Sequence, residues 1–72
     1  MNNTYERLAN AIVLQAVKDY RNALKRLEKH PRNETALYTK REVERFFRSD
    51  WYASLTKVNP EMLIRKLKEE VI

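Results

Sequence analysis

The side chains that could carry out chemistry are few in this sequence. It has one histidine, His30, and no cysteine or glycine, which excludes thiolate metal sites, histidine cages and glycine-rich phosphate loops. The acidic pairs Glu42 with Glu44 and Glu69 with Glu70 are one or two positions apart on predicted helices, so their carboxylates diverge. We therefore expect no catalytic residues, no metal, no cofactor and no enzymatic activity.

Positive charge is the more informative feature. The chain carries 15 Lys and Arg against 10 Asp and Glu, a formal charge of +5. Residues 1–31 contain six cations against three acids, and residues 32–49 contain five against three. Residues 50–72 are balanced, with four of each. The excess therefore lies on the first predicted helix, the connection after it and the second helix.

Helical periodicity arranges much of this charge in rows. At about 100° per residue, cations of the first helix fall on the side away from its apolar residues, and arginines of the second helix recur at steps of four and three. Lys and Arg that neutralise phosphates release counterions and so favour nucleic-acid binding. The predicted nucleic-acid-binding residues are Lys18, Arg21, Lys25, Lys29, Arg41, Arg45 and Arg48. In the alternative interpretation these cations only solvate helix surfaces, with Glu28, Glu42 and Glu44 as local partners.

Two residues are predicted to contact another protein. Leu14 falls beside the row of cations instead of among the apolar residues, and residues 8–17 are apolar on most of the helix circumference. Either the other helices or a second copy of the chain covers that segment. Four of the seven aromatic residues lie within positions 46–52; they are expected to form core, with Tyr52 the most exposed. The predicted partners are thus nucleic acid, a host protein or a homodimer.

The elements that position these residues are four helices, at about 4–29, 40–48, 50–55 and 60–71. Asn3 or Thr4 caps the first, and Pro31 ends it. Thr39 with Glu42 forms a capping box for the second helix, after a connection that holds at most one helical turn. The expected caps of the last two helices are Ser49 and Asn59, the latter followed by Pro60. One continuous helix to Leu55 is the alternative for residues 40–55.

These helices predict an all-α fold, a small bundle of three to four helices with a long N-terminal helix, in a single domain over residues 1–72. The absence of glycine makes tight β-hairpin turns unlikely. The longest segment without a charged residue, positions 8–17, is much shorter than the roughly 20 apolar residues of a membrane span. We therefore expect no membrane association and a cytoplasmic location.

Two segments, AIVLQAVKDYRNALKRLEKHPRN (11–33) and EVERFFRSDWYASLTKVNPEMLIRKL (42–67), resemble a group of short uncharacterised helical proteins encoded in prophages and mobile elements of low-GC Gram-positive bacteria. The most specific part is FFRSDWY followed by a capped helix ending in LIRKL. The resemblance implies a cytoplasmic accessory protein used by phage or element DNA in a bacterial host. It implies no activity and no binding residues.

Three functional hypotheses follow. The first is a nucleic-acid-associated accessory or regulatory protein that uses the row of cations. The second is a protein-interaction module, such as an inhibitor or adaptor of host or defence machinery, that uses Leu14 and Tyr52. The third is a structural homo-oligomer whose interface is the apolar segment 8–17. We rank the first slightly ahead of the others because of the charge and because of the phage or mobile-element context that the resemblance implies.

Overall fold

A computed structural model describes residues 4–71 of the chain, which form four helices: α1 (Thr4–Lys29), α2 (Glu34–Phe47), α3 (Asp50–Leu55) and α4 (Pro60–Val71). The predicted all-α bundle with a long N-terminal helix is confirmed. The predicted cap Asn3 lies outside the described residues. None of the helices within residues 4–71 is both long and apolar enough to cross a bilayer.

The start of α2 differs from the prediction. The helix begins at Glu34, six residues before the predicted start at position 40, and Asn33 is its N-cap. The Asn33 side-chain oxygen accepts a hydrogen bond from the backbone N–H of Ala36 at 2.9 Å. Ala36 is buried, so burial of this extra turn adds to the capping energy. The predicted capping box at Thr39 is therefore wrong, because Thr39 lies inside the helix.

The two alternative caps can be separated by mutation. We expect Asn33→Ala to lower the free energy of unfolding by about 1 kcal/mol, because the backbone N–H of Ala36 loses its side-chain acceptor. Thr39→Ala should leave stability unchanged or raise it slightly, since alanine is the better residue inside a helix. Urea unfolding followed by circular dichroism measures both. A larger loss for Thr39→Ala than for Asn33→Ala would contradict this helix start.

The break between α2 and α3 is confirmed. Ser49 caps α3: its hydroxyl accepts from the backbone N–H of Tyr52 at 3.1 Å and donates to the carbonyl of Phe46 at 2.6 Å. Asp50 then lies exposed in the first turn of α3, where the helix dipole favours a negative charge. One continuous helix over residues 40–55 is thereby excluded. At the start of α4, Asn59 caps the backbone N–H of Met62 at 3.0 Å, as predicted.

Buried side chains from all four helices form one core. Its centre is aromatic: the ring of Phe47 lies edge-on to Tyr20, with centroids 5.8 Å apart, and to Tyr52, with centroids 5.6 Å apart. The prediction that Tyr52 is exposed is wrong, since only 2% of it is accessible. The buried members of this core are Val17, Tyr20, Leu24, Val43, Phe47, Tyr52, Ile64 and Leu67.

The short connection at residues 30–33 makes α1 and α2 an antiparallel hairpin. Helix α4 is fixed to it at both ends, by Glu61 paired with Arg48 near the end of α2 and by Glu70 paired with Arg21 of α1. Helix α4 therefore runs parallel to α1 and antiparallel to α2. Residues 22–29 of α1 extend past the described part of α4, so this end of the molecule is a two-helix hairpin.

Candidate nucleic-acid interface

The end of the α1–α2 hairpin carries most of the net charge. Residues 25–32 contain four Lys and Arg against one Glu, a formal +3 out of the +5 of the whole chain. All four cations are exposed, and none forms a salt bridge with a carboxylate of residues 4–71. Together with the neighbouring histidine we name them the hairpin-end cluster: Lys25, Arg26, Lys29, His30 and Arg32.

The chain brings these residues together through a tight turn. The backbone N–H of His30 donates to the carbonyl of Arg26 at 2.8 Å, and that of Asn33 donates to the carbonyl of His30 at 3.0 Å. Pro31 cannot continue α1. The chain therefore reverses within four residues, so cations that precede the turn and Arg32 within it share one end of the hairpin.

An open groove between α1 and α2 leads away from the hairpin-end cluster. Lys25, Arg26, Lys29 and His30 line its basic end, and Arg26, Lys29 and His30 also border a second depression around the turn. The polar residues that line the rest of the groove are Asp19, Asn22, Thr35 and Thr39. Hydroxyl and amide groups beside cations are common phosphate ligands in nucleic-acid complexes.

Of the seven predicted nucleic-acid-binding residues, only Lys25 and Lys29 line this groove. Lys18 lies two turns before Lys25 on α1, about 10 Å away along the helix, and is exposed without a salt bridge to the described carboxylates. Arg41 is likewise exposed. Arg45 is exposed, with its closest carboxylate, that of Glu42, at 3.7 Å. The binding role of these residues stays a prediction.

Arg21 and Arg48 are already occupied by carboxylates of α4. Arg21 makes a two-pronged contact with Glu70, at 2.8 and 3.0 Å, and Arg48 makes the same contact with Glu61, at 2.7 and 3.0 Å. The hydrogen bond with its partner raises the pKa of each arginine. Because bidentate pairs occupy most of the guanidinium donors, these two side chains connect helices, and their predicted role toward phosphate stays untested.

Sequence reasoning missed Arg26, His30 and Arg32. Arg26 lies about 60° beyond Lys29 in helical phase, outside the predicted row of cations, and Arg32 lies in the connection, so the row included neither. A simple count of charge along the chain would have found them, since half of residues 25–32 are cations. At a hairpin end, position along the chain matters more than helical phase because most of the last turn is exposed.

The most buried of the salt-bridged groups is structural. Glu44, whose side chain is only 15% exposed, accepts hydrogen bonds from the Tyr20 hydroxyl at 2.5 Å and from Lys40 at 3.0 Å. Burial acts to raise the pKa of Glu44, but these two bonds together with the positive charges of Lys40 and Lys68 outweigh it and hold the pKa below its ordinary value. Lys68 of α4 lies 3.9 Å from the same carboxylate. Glu44 thus connects α1, α2 and α4 through the hydrogen bonds and charge contacts of its carboxylate.

Comparisons with known proteins came back negative: no protein-family model, curated protein or solved structure matches the chain. The resemblance to prophage-encoded proteins accordingly stays a prediction. Within residues 4–71 there is also no group of three or more His, Cys, Asp or Glu side chains that could hold a metal ion.

The two predicted protein-contact residues have different outcomes. Leu14 is 61% exposed, as its helical phase predicted. Leu14 lies two turns before Arg21, and Leu63 lies two turns before Glu70, the partner of Arg21. Because α1 and α4 are parallel, Leu14 is at the same level as Leu63, which is half-buried. Tyr52 is not available to a partner, because it is buried and its hydroxyl donates to the carbonyl of Val58 at 2.9 Å. An interface at Leu14 stays a prediction.

Proposed function

We propose that this protein is a non-enzymatic nucleic-acid-binding accessory protein that holds backbone phosphates at the hairpin-end cluster. The supporting observation is that four exposed cations without salt bridges to residues 4–71 lie within eight positions at this end of the hairpin. Lys25, Arg26 and Lys29 line the groove, and Arg32 borders the depression around the turn. By contrast, the arginines near α4 are neutralised by Glu61 and Glu70. Exposed cations concentrated at one end of an elongated molecule provide the local positive potential that phosphate backbones need.

The proposed contact is to the backbone and not to a base sequence. Lysine and arginine neutralise phosphates and release counterions, which yields affinity with a steep salt dependence but little sequence preference. Thr35 and Thr39 in the same groove add hydroxyl donors that suit phosphate oxygens. The hairpin end measures two helices across, so it presents no long recognition helix for reading a major groove.

The test is a charge deletion with a charge-matched control. Lys25→Ala with Lys29→Ala should reduce the slope of log K against log salt by about 1.8 on duplex DNA and about 1.4 on a single strand, since each phosphate contact contributes about 0.9 or 0.7. Fluorescence anisotropy of a labelled 20-nucleotide strand and its duplex, from about 50 to 200 mM salt, measures the slope.

The control is Lys57→Ala with Lys66→Ala, which removes the same charge from the other end of the chain. These lysines are exposed and lie outside the hairpin, so the control should keep the wild-type slope. Equal losses for both double variants would mean that only net charge matters and would overturn the assigned site. Failure of the unaltered protein to bind either DNA at low salt would overturn the function itself.

A further inference from the structure

The groove that starts at the hairpin-end cluster is lined on α2 as far as Thr39, and beyond it an exposed tryptophan lies on the same side of α2. We propose that the groove holds a single strand of nucleic acid, with phosphates at the hairpin end and a base stacked on Trp51. This inference rests on the proposed function and adds the kind of strand that is bound. It is carried by the position of Trp51, which the core does not explain.

The position of Trp51 follows from the geometry of α2. Thr35 and Thr39 line the groove, and Phe46, two turns after Thr39, lies on the same side of the helix. Phe46 contacts Trp51 edge-on, with ring centroids 5.4 Å apart and an interplanar angle of 81°. Trp51 therefore lies at the far end of the side of α2 that forms the groove. Thr35 and Phe46 are about 17 Å apart along the helix, the length of about five stacked nucleotides.

Trp51 is held in place without being buried. The prediction that it faces the core is wrong, because 59% of it is accessible. Its ring is anchored on Phe46, which in turn contacts Phe47 and Tyr52 of the core, with centroids 5.9 and 5.8 Å apart. The Ser49 cap fixes the turn of α3 that carries it. An indole that is anchored on one side and exposed on the other is a preorganised surface for base stacking.

Charge along the groove favours this orientation of the strand. Asp19 lines the groove between the two ends and is held by a hydrogen bond from the Gln15 amide at 3.0 Å. Glu42, between Thr39 and Phe46 on α2, adds a second carboxylate on this side. Carboxylates repel phosphates but accept hydrogen bonds from the N–H groups of bases, including the ring N–H of thymine. Phosphates are thus directed to the hairpin end, and bases toward the middle of the groove and Trp51.

Duplex DNA cannot contact the hairpin-end cluster and also stack a base on Trp51. In a duplex the faces of the bases are stacked on one another, so Trp51 has nothing to stack on unless the strand opens. A single strand exposes base faces to aromatic side chains while its backbone follows the cations. The geometry therefore assigns single-stranded nucleic acid as the ligand in preference to duplex.

The experiment uses Trp51 as its own reporter, because it is the only tryptophan in the chain. A 12-nucleotide thymidine strand is titrated into the protein at low salt, beside an abasic phosphodiester of equal length and a 12-base-pair duplex. The thymidine strand should quench the tryptophan fluorescence, whereas the abasic strand should bind more weakly and leave the fluorescence unchanged.

The variants separate stacking from charge. Trp51→Leu keeps an apolar contact for Phe46 and should lower affinity for the thymidine strand by about five- to hundred-fold more than affinity for the duplex. Because this variant lacks tryptophan, the anisotropy of a dye-labelled strand and duplex measures its affinities. The matched control is Tyr38→Leu, which removes an exposed aromatic residue of α2 that does not line the groove. It should change neither affinity. Circular dichroism confirms that both variants keep their helices.

The outcomes distinguish this inference from the proposed function. Equal binding of the thymidine and abasic strands without quenching, equal effects of Trp51→Leu and Tyr38→Leu, or a preference for duplex would each overturn the single-strand assignment and leave backbone binding standing. If none of the three nucleic acids binds at low salt, the proposed function fails together with it.

Discussion

Phe47→Ala is expected to leave the protein largely unfolded at 25 °C. Phe47 is fully buried, and its ring contacts Tyr20, Phe46 and Tyr52, so it joins α2 to both α1 and α3. Removing a buried phenylalanine costs about 3–5 kcal/mol. A single core in a domain of this size rarely supplies more than about 3–5 kcal/mol of net stability. This one substitution is therefore expected to remove most or all of the free energy of unfolding.

Circular dichroism at 222 nm with urea titration measures this effect. Tyr38→Ala is the matched control, because it removes an exposed aromatic side chain from the same helix and should change stability by no more than about 0.5 kcal/mol. A Phe47→Ala protein with a cooperative transition at the same urea concentration as Tyr38→Ala would show that the aromatic centre of the core is misassigned.

Alkaline pH is expected to destabilise the protein, chiefly through Tyr20. Burial, then the hydrogen bond to the Glu44 carboxylate and its negative charge, raises the pKa of Tyr20 far above its ordinary value of 10.0. Above pH 10 the unfolded chain therefore loses a proton that the folded chain retains. The stabilising contribution is fully present below pH 10 and decreases by about 1.4 kcal/mol per pH unit above it. Burial raises the pKa of Tyr52 as well, which adds to the same trend.

Tyr20→Phe isolates this contribution. The variant should be less stable at neutral pH, because Glu44 loses a hydrogen-bond donor while Lys40 still pairs with it. Above pH 10 its free energy of unfolding should nevertheless decrease less steeply than that of the unaltered protein. The difference in slope should be about 1.4 kcal/mol per pH unit, the contribution of one proton. Urea unfolding at pH 8, 10 and 11 provides the comparison, with Tyr38→Phe as the exposed control. Parallel curves for Tyr20→Phe and the unaltered protein would show that the pKa of Tyr20 is not raised in the folded chain.

Most helix ends could be predicted from the sequence because they depend on bonds within a few residues. Pro31 ends α1, Ser49 caps α3, and Asn59 with Pro60 starts α4, and each effect needs only its neighbours along the chain. Local signals failed where two caps competed. Asn33 and Thr39 are both acceptable cap residues, and only the burial of Ala36 in the folded chain indicates why the earlier one starts α2.

Local signals were also insufficient for the aromatic residues of α3. Trp51 and Tyr52 are adjacent in the six-residue α3, too short for periodicity to establish which side faces the bundle. The direction in which the chain leaves Ser49 places Tyr52 against Phe47 and leaves Trp51 on the surface. The side chain expected to be exposed is therefore core, and its neighbour is the residue available for stacking.

Composition and local bonding determined that this chain is helical, where three of its helices begin or end, and that positive charge is concentrated before residue 50. Only the tertiary structure decided which cations form salt bridges. Arg21 is neutralised by a glutamate 49 residues away, whereas Lys25 and Lys29 join Arg26 at one groove. Helical phase describes one helix at a time, but the availability of a charge depends on which carboxylates the packing of other helices brings within a few ångströms.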